Sequence, residues 1–322
     1  MNRNVLFALL AAALFGASTP FAKLLVGNTP PVLLAGLLYL GSGLGLTLIR
    51  LVRDRGWQPS GLSRAEWPWL LGAIFFGGVA GPVALMFGLL TTSGSSASLL
   101  LNLEAVLTAA IAWVVFKENA DKRIVLGMAS IVAGGLVLSW PGHSARSSDW
   151  VGPVLIGVAC LCWAIDNNLT RKVSASDALF VAGSKGVVAG LSNSLLALVL
   201  GATLPGVATT LATMGVGLLG YGFSLVLFVL ALRGLGTART GAYFSTAPFI
   251  GAFIALAVFG ESTGLQFWMA ALLMGIGVGL HLTEKHEHEH EHGPLEYEHT
   301  HTHGKVRHSH AHFPDIHHRH GH

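Results

Sequence analysis

The chain has 322 residues, 52% of them apolar and only 11% charged, with a formal net charge of +3 and a mean hydropathy of +0.62. Soluble globular chains carry roughly 25% charged residues, and here eleven of the 19 basic and 16 acidic side chains crowd into Glu284 to His322. The remainder cannot solvate a water-facing surface, which excludes a soluble enzyme and leaves a polytopic membrane protein with a polar tail.

Crossing the hydrocarbon layer takes roughly 20 apolar residues. Ten segments answer to that: Asn4–Val26, Pro31–Val52, Trp67–Leu90, Gly94–Phe116, Arg123–Trp140, Trp150–Leu169, Ala178–Gly201, Val207–Leu232, Thr240–Gly260 and Gly264–Leu282. The first resembles a secretory signal, with Arg3 and small residues at Gly16–Ser18, but its apolar run continues to Val26, so it reads as an uncleaved helix. With the N-terminus inside, sixteen Lys and Arg fall on cytoplasmic segments and only Arg146 outside, while Lys23 and Lys185 lie within spans. That bias predicts both termini in the cytoplasm and, for a bacterial-type cell, an inner-membrane location.

The pattern Ile111-Ala112, Val115-Phe116, Glu118 returns as Ile254-Ala255, Val258-Phe259, Glu261, an offset of 143 that also sets Gly134 on Gly277. Repeats this long indicate duplicated halves. Five spans per half is odd, so the halves would be inverted, an architecture of secondary transporters with the substrate held near mid-membrane. The expected fold is therefore all-α, ten helices in two inverted repeats over residues 1–142 and 149–283, followed by a disordered tail over residues 284–322.

Two motifs then point to a family. Phe15-Gly16-Ala17-Ser18-Thr19-Pro20-Phe21-Ala22-Lys23 resembles the first-helix signature of the EamA-type drug/metabolite transporters, and Ala242-Tyr243-Phe244-Ser245-Thr246-Ala247-Pro248-Phe249-Ile250 is similar to their ninth helix. The resemblance covers residues 4 to 283. It implies a ten-helix carrier that needs no organic cofactor and moves small metabolites or drugs, often outward. The chain departs from the pattern at Asn102-Leu103-Glu104-Ala105, where the second half keeps Pro248.

Ionisable groups within spans are costly and face a cavity or a partner. Glu104 lies at the midpoint of its span. It reads either as a protonatable switch shared by a proton and a cationic substrate, or as a carboxylate held by Lys185 or a polar neighbour to fix packing. Asp166, opening the run Asp166-Asn167-Asn168, and Lys185 sit at matching depth on consecutive helices, so a salt bridge between them is expected, structural or substrate-binding. Asn102 and Asn193 either bond substrate or bridge helices. Lys23 reads as a snorkelling side chain or, through the motif, a site residue; Tyr243 reads as cavity wall or packing. Glu118 and Glu261 read as structural marks of the repeat.

Gly41-x-x-x-Gly45, Gly186-x-x-x-Gly190 and Gly275-x-x-x-Gly279 allow close helix approach, the last within the chain or in a homodimer. Gly81-Pro82 and Ala247-Pro248 would free backbone carbonyls. Cys160 and Cys162 read as buried packing rather than a disulfide, and Trp57, Trp67, Trp69, Trp140 and Trp150 as interfacial anchors.

Fourteen of the 16 histidines lie between His286 and His322. His286, His288, His290 and His292 alternate with glutamates; His299, His301, His303 and His308, His310, His312 repeat the spacing before His317, His318, His320 and His322. Imidazole binds zinc, nickel, copper and cobalt, so the tail reads as a divalent-metal tract with no defined ligand set, or as a polar extension.

No nucleotide-binding loop is evident to power transport, and nothing suggests nucleic acid as a partner. The leading expectation is proton-coupled efflux of a small metabolite or drug-like solute, with no enzymatic activity. The alternatives are a divalent-metal exporter whose tail collects metal, and a non-transporting metal sensor or scaffold.

Overall fold

The computed structural model describes residues 3–116, 122–140, 150–173, 176–235, 237–282, 297–303 and 306–312. The chain divides into two compact units, Met1–Glu284 and Lys285–His322. In the first, apolar runs bounded by Pro, Gly and short polar turns become helices: α1 (Arg3–Val26), α2 (Pro31–Arg53), α3 (Trp67–Ala73), α4 (Gly81–Thr91), α5 (Gly94–Leu100), α6 (Asn102–Phe116) and α7 (Lys122–Ser139). There follow α8 (Val151–Thr170), α9 (Ala178–Val199), α10 (Val207–Gly217), α11 (Ser224–Leu235), α12 (Thr237–Phe244), α13 (Ala247–Ala257) and α14 (Leu265–Leu282). A π-helical turn, Ile74–Ala80, joins α3 to α4, and another, Leu218–Phe223, joins α10 to α11.

Among the described residues, eight helical segments are long and apolar enough to cross a membrane, the first Arg3–Val26 and the last Val207–Ala231. The ten expected spans are thus met by eight of that length; Ala247–Ala257 and Leu265–Leu280 are shorter apolar helices. The ninth expected span is shortened by an interruption at Ser245–Thr246, just ahead of Pro248, which has no N–H to continue the ladder. The fourth is interrupted too, at Leu101: the Asn102 amide donates to the Leu99 carbonyl at 2.9 Å, turning a side chain back on the backbone where the helix restarts.

Glycine sets how closely these helices pack. Gly43 and Gly186 lie backbone to backbone where α2 crosses α9, and a Cβ on Gly41 would run into Met214. The α7–α14 pair is reciprocal. A Cβ on Gly134 would come within 3.0 Å of the Ala270 carbonyl, and one on Gly277 within 2.6 Å of the Gly127 carbonyl. Between them the Ser130 hydroxyl donates to the Leu273 carbonyl at 2.7 Å. The tenth expected span therefore packs through Gly277, and not through Gly275 or Gly279, beside which a Cβ would meet nothing. Elsewhere α4 and α6 pack on α8, as α11 and α13 pack on α1.

In the second unit, strands β1 (Tyr297–His303) and β2 (Val306–His312) pair antiparallel, with His299 opposite His310 and His301 opposite His308. Disorder was the expectation for this segment. Alternation of His with Thr, Ser or Glu has the period of two that a strand requires, and Thr favours extended backbone. Glu118, His286, His288, His290, His292, His317, His318, His320 and His322 lie outside the described residues.

Candidate functional site

The first π-helical turn supplies the site's scaffold. The Gly81 N–H reaches back to the Phe76 carbonyl, so the next donor in that i→i+5 ladder would come from Pro82, which has none. The Gly77 carbonyl is left open. Tyr39 takes it with its hydroxyl at 2.6 Å and Trp163 with its indole N–H at 3.0 Å. One residue on, the Asn193 amide donates to the Gly78 carbonyl at 3.0 Å, which makes Asn193 a helix bridge. Gly77 has to be glycine, because a Cβ there would collide with the Asp166 carboxylate.

Asp166 on α8 and Lys185 on α9 form the expected ion pair. The ammonium lies 2.6 and 2.7 Å from the two carboxylate oxygens, with both residues 7% exposed. Thr170, one turn beyond Asp166, donates its hydroxyl to the same carboxylate at 2.8 Å. The charges cancel within the pair, so Lys185 is not the partner of Glu104.

Glu104 lies in the first turn of α6, where a carboxylate complements the positive end of the helix dipole. Asn167 donates its amide to Glu104 Oε1 at 2.9 Å and lies 3.4 Å from the Thr108 hydroxyl, one turn further along α6. Asn168 turns to backbone, donating to the Ala164 carbonyl at 2.8 Å and the Thr108 carbonyl at 3.4 Å. Among the described residues, no cation forms an ion pair with Glu104. Asn167 is exposed and Glu104 half-buried. A carboxyl so placed can accept a proton or bind an ammonium, not both at once.

Aromatic rings gather around Trp163. Trp163 shares an α8 face with Asn167, four residues on. Phe15 lies edge-on to Trp163 and to Tyr221 and 5.3 Å from the Phe244 ring, while Tyr221 stacks on Tyr39. The polar edges of Tyr39 and Trp163 are spent on the Gly77 carbonyl.

The remaining expected site residues lie elsewhere. Asn102 is buried in the α5–α6 interruption against Met274, a packing role. Lys23 does not simply snorkel: its ammonium donates to the Leu89 carbonyl at 2.5 Å. Tyr243 is half-buried on α12, where its carbonyl accepts the Thr246 hydroxyl. Glu261 grips α5, Oε1 accepting from the Gly94 N–H and Oε2 from the Ser95 N–H, each at 2.8 Å. Cys160 and Cys162 are buried free thiols. Among the described residues no group of three or more His, Cys, Asp or Glu is placed to hold a metal ion.

Far from the centre, Asp177 caps α9 and receives Arg50 at 2.9 Å and Arg53 at 2.5 Å. Arg50 also donates to the Gln58 and Pro59 carbonyls, tying down the α2–α3 connection. Burial would raise the Asp177 carboxyl, but hydrogen bonds from Arg53, Arg50 and the Leu179 N–H outweigh it and hold the group at about 2.

A family model described as the EamA-like transporter family matches the chain twice, over residues 2–140 and 150–283. The chain belongs to the EamA-like transporter family. Its curated relatives include an uncharacterized transporter of Methanothermobacter thermautotrophicus, 26% identical over 280 residues, covering 82% of this chain and 81% of that protein. Another is the uncharacterized transporter YyaM of Bacillus subtilis, 26% identical over 269 residues and covering 79% and 86%. A solved structure titled only as the crystal structure of a protein shares the fold, with a TM-score of 0.62 at 17% identity over 87% of this chain and 95% of that one. This EamA-like chain is thus a multi-pass membrane protein of a transporter family.

Sequence reading missed Thr108, Thr170, Tyr39 and Trp163. Thr170 was within reach, one helical turn from Asp166; Gly81-Pro82 announces a freed carbonyl, but not that Tyr39 and Trp163, distant in sequence, would take it.

Proposed function

We propose that the protein is a ten-span secondary carrier, built from inverted halves over residues 1–142 and 149–283, that exports a small metabolite or drug-like solute in exchange for protons at Glu104. The observation that carries this reading is a half-buried carboxylate at a helix interruption, bonded to the exposed Asn167 of α8. Interrupted helices are where secondary carriers bind substrate.

The offset of 143 supports the duplication. It relates Gly43 to Gly186 and Ser130 to Leu273, the pairs that touch each other across α2–α9 and α7–α14. It also carries the α5–α6 interruption onto the α12–α13 one, and the first π-turn onto the second. Contact partners exchange under the same shift: α6 on α8 becomes α13 on α1. A scaffold without transport has no use for such symmetry. Charge placement supports cytoplasmic termini in an inner membrane.

Proton-gradient-driven flux in proteoliposomes tests the reading. Glu104→Gln keeps the Asn167 contact and the shape, so insertion persists while proton-coupled flux is lost; flux equal to wild type rejects the role of Glu104. Divalent-metal export with the tail as collector is a second reading, favoured by the backbone register that sets His299 opposite His310 and His301 opposite His308. Metal content of cells with and without residues 285–322 separates it from metabolite export. No resident cofactor is required under either reading.

A further inference from the structure

Where α5 begins, Glu261 lays its carboxylate across the first two N–H groups of the helix, Gly94 and Ser95, both at 2.8 Å. These donors have no partner inside α5, and a charged acceptor makes such bonds short and strong. Glu261 comes from the turn after α13, whose own N–H reaches back to the Ala255 carbonyl. Around this contact the helices close up. Lys23 of α1 holds the Leu89 carbonyl of α4, and a Cβ on Gly94 would stand 3.5 Å from Pro20. Ser98, one turn into α5, is 1% exposed and lies against Gly251 of α13.

The repeat says what to expect at the other end. A shift of 143 turns the α5–α13 pair into α12–α6. Yet among the described residues α5 and α13 pack together, whereas α6 and α12 do not pack to a comparable extent. Among the described residues, the α5–α13 seam at the Gly94 end is closed.

We infer that Glu261 is the latch of the closed end. This rests on the carrier reading, because only a carrier must part α5 from α13 to release solute on that side. Any such parting pulls Glu261 away from Gly94 and Ser95, so these two hydrogen bonds oppose opening, and their rupture is a step of the cycle. The positive-inside pattern puts this end outside. The carboxylate matters because two oxygens must accept at once; an amide offers one acceptor and no charge.

The test places a thiol at the seam with Ser98→Cys and measures its labelling in intact cells by a membrane-impermeant maleimide, subtracting the protein that has only Cys160 and Cys162. The parent labels slowly. Glu261→Gln accelerates labelling at least tenfold. Glu261→Ala, which takes away both acceptors and adds no atoms to the seam, does the same. It also covers the case in which Glu261→Gln fails to fold. Folded variants that label as slowly as the parent overturn the latch. Flux measured on the same proteins separates the two ideas: flux with unchanged labelling removes the latch and leaves the carrier, whereas no flux in the parent removes the carrier reading itself.

Discussion

Breaking the Asp166–Lys185 pair on one side leaves a charge in the interior, and its cost can be worked from the geometry. Both residues are 7% exposed, Lys185 donates to both carboxylate oxygens, and Thr170 uses part of what acceptor capacity remains. Removing one partner of a buried pair costs about 3–5 kcal/mol, because the other stays desolvated and uncompensated. Lys185→Met and Asp166→Asn should each fall in that range. At 2–4 °C per kcal/mol, the scale of mid-sized domains, each lowers the unfolding midpoint in detergent by about 10 °C. The double variant Asp166→Asn/Lys185→Met removes both charges and should recover about 2–3 kcal/mol over the sum of the singles. Tryptophan fluorescence during heating reads all three. Single substitutions costing under about 1 kcal/mol, or effects that simply add, would show that the pair is not desolvated as described. Flux then assigns its role: a double variant that is stable and transports makes the pair structural, and one that is stable but inert makes it part of the cycle.

Other outcomes follow from neighbouring contacts. Gly77→Ala forces a methyl into the Asp166 carboxylate and should destabilise by about 1–3 kcal/mol, while Gly157→Ala, inside α8 where a Cβ meets nothing, does not lower the melting midpoint. The Asp177 carboxyl sits at about 2, below its unfolded value, so its stabilisation is complete above pH ~4 and fades as pH falls through 2. Asp177→Asn should flatten that part of the stability–pH curve, and an unchanged acid slope would contradict the contacts with Arg50 and Arg53. Tyr39→Phe takes one of two donors from the Gly77 carbonyl and should cost about 1 kcal/mol, read as a small downward shift in midpoint. Deleting residues 285–322 should leave core stability and flux intact and remove retention on immobilised nickel; loss of folding would show that the core depends on the tail.

Much of the helical framework could be read from the sequence because the bilayer imposes a length and a polarity on each segment. The expected bounds of the first eight spans agree with the structure to within about three residues, since Pro, Gly and charges mark their ends. The interruptions differ. Ala247-Pro248 is visible as a missing donor, whereas Leu99-Leu100-Leu101-Asn102-Leu103 is apolar on both sides of the break and depends on the backward reach of Asn102. The Asp166–Lys185 pair was readable from depth on adjacent helices. The assignment of Glu104 to Asn167 rather than Lys185 was not, because it depends on rotation about the helix axes. Glu261 was recognised as a mark of the repeat, but its grip on α5 spans 167 residues to Gly94 and leaves no local trace.

The account stands or falls on the halves entering the membrane in opposite senses, and labelling of single thiols in sealed, oriented vesicles tests that directly. Asn119→Cys and Ser262→Cys lie just after the two copies of the repeated motif in the sequence. Opposed halves predict that an impermeant maleimide reaches Ser262→Cys only from the outer face and Asn119→Cys only from the cytoplasmic face. Both thiols reacting from the same face would contradict the inverted duplication and the carrier built on it.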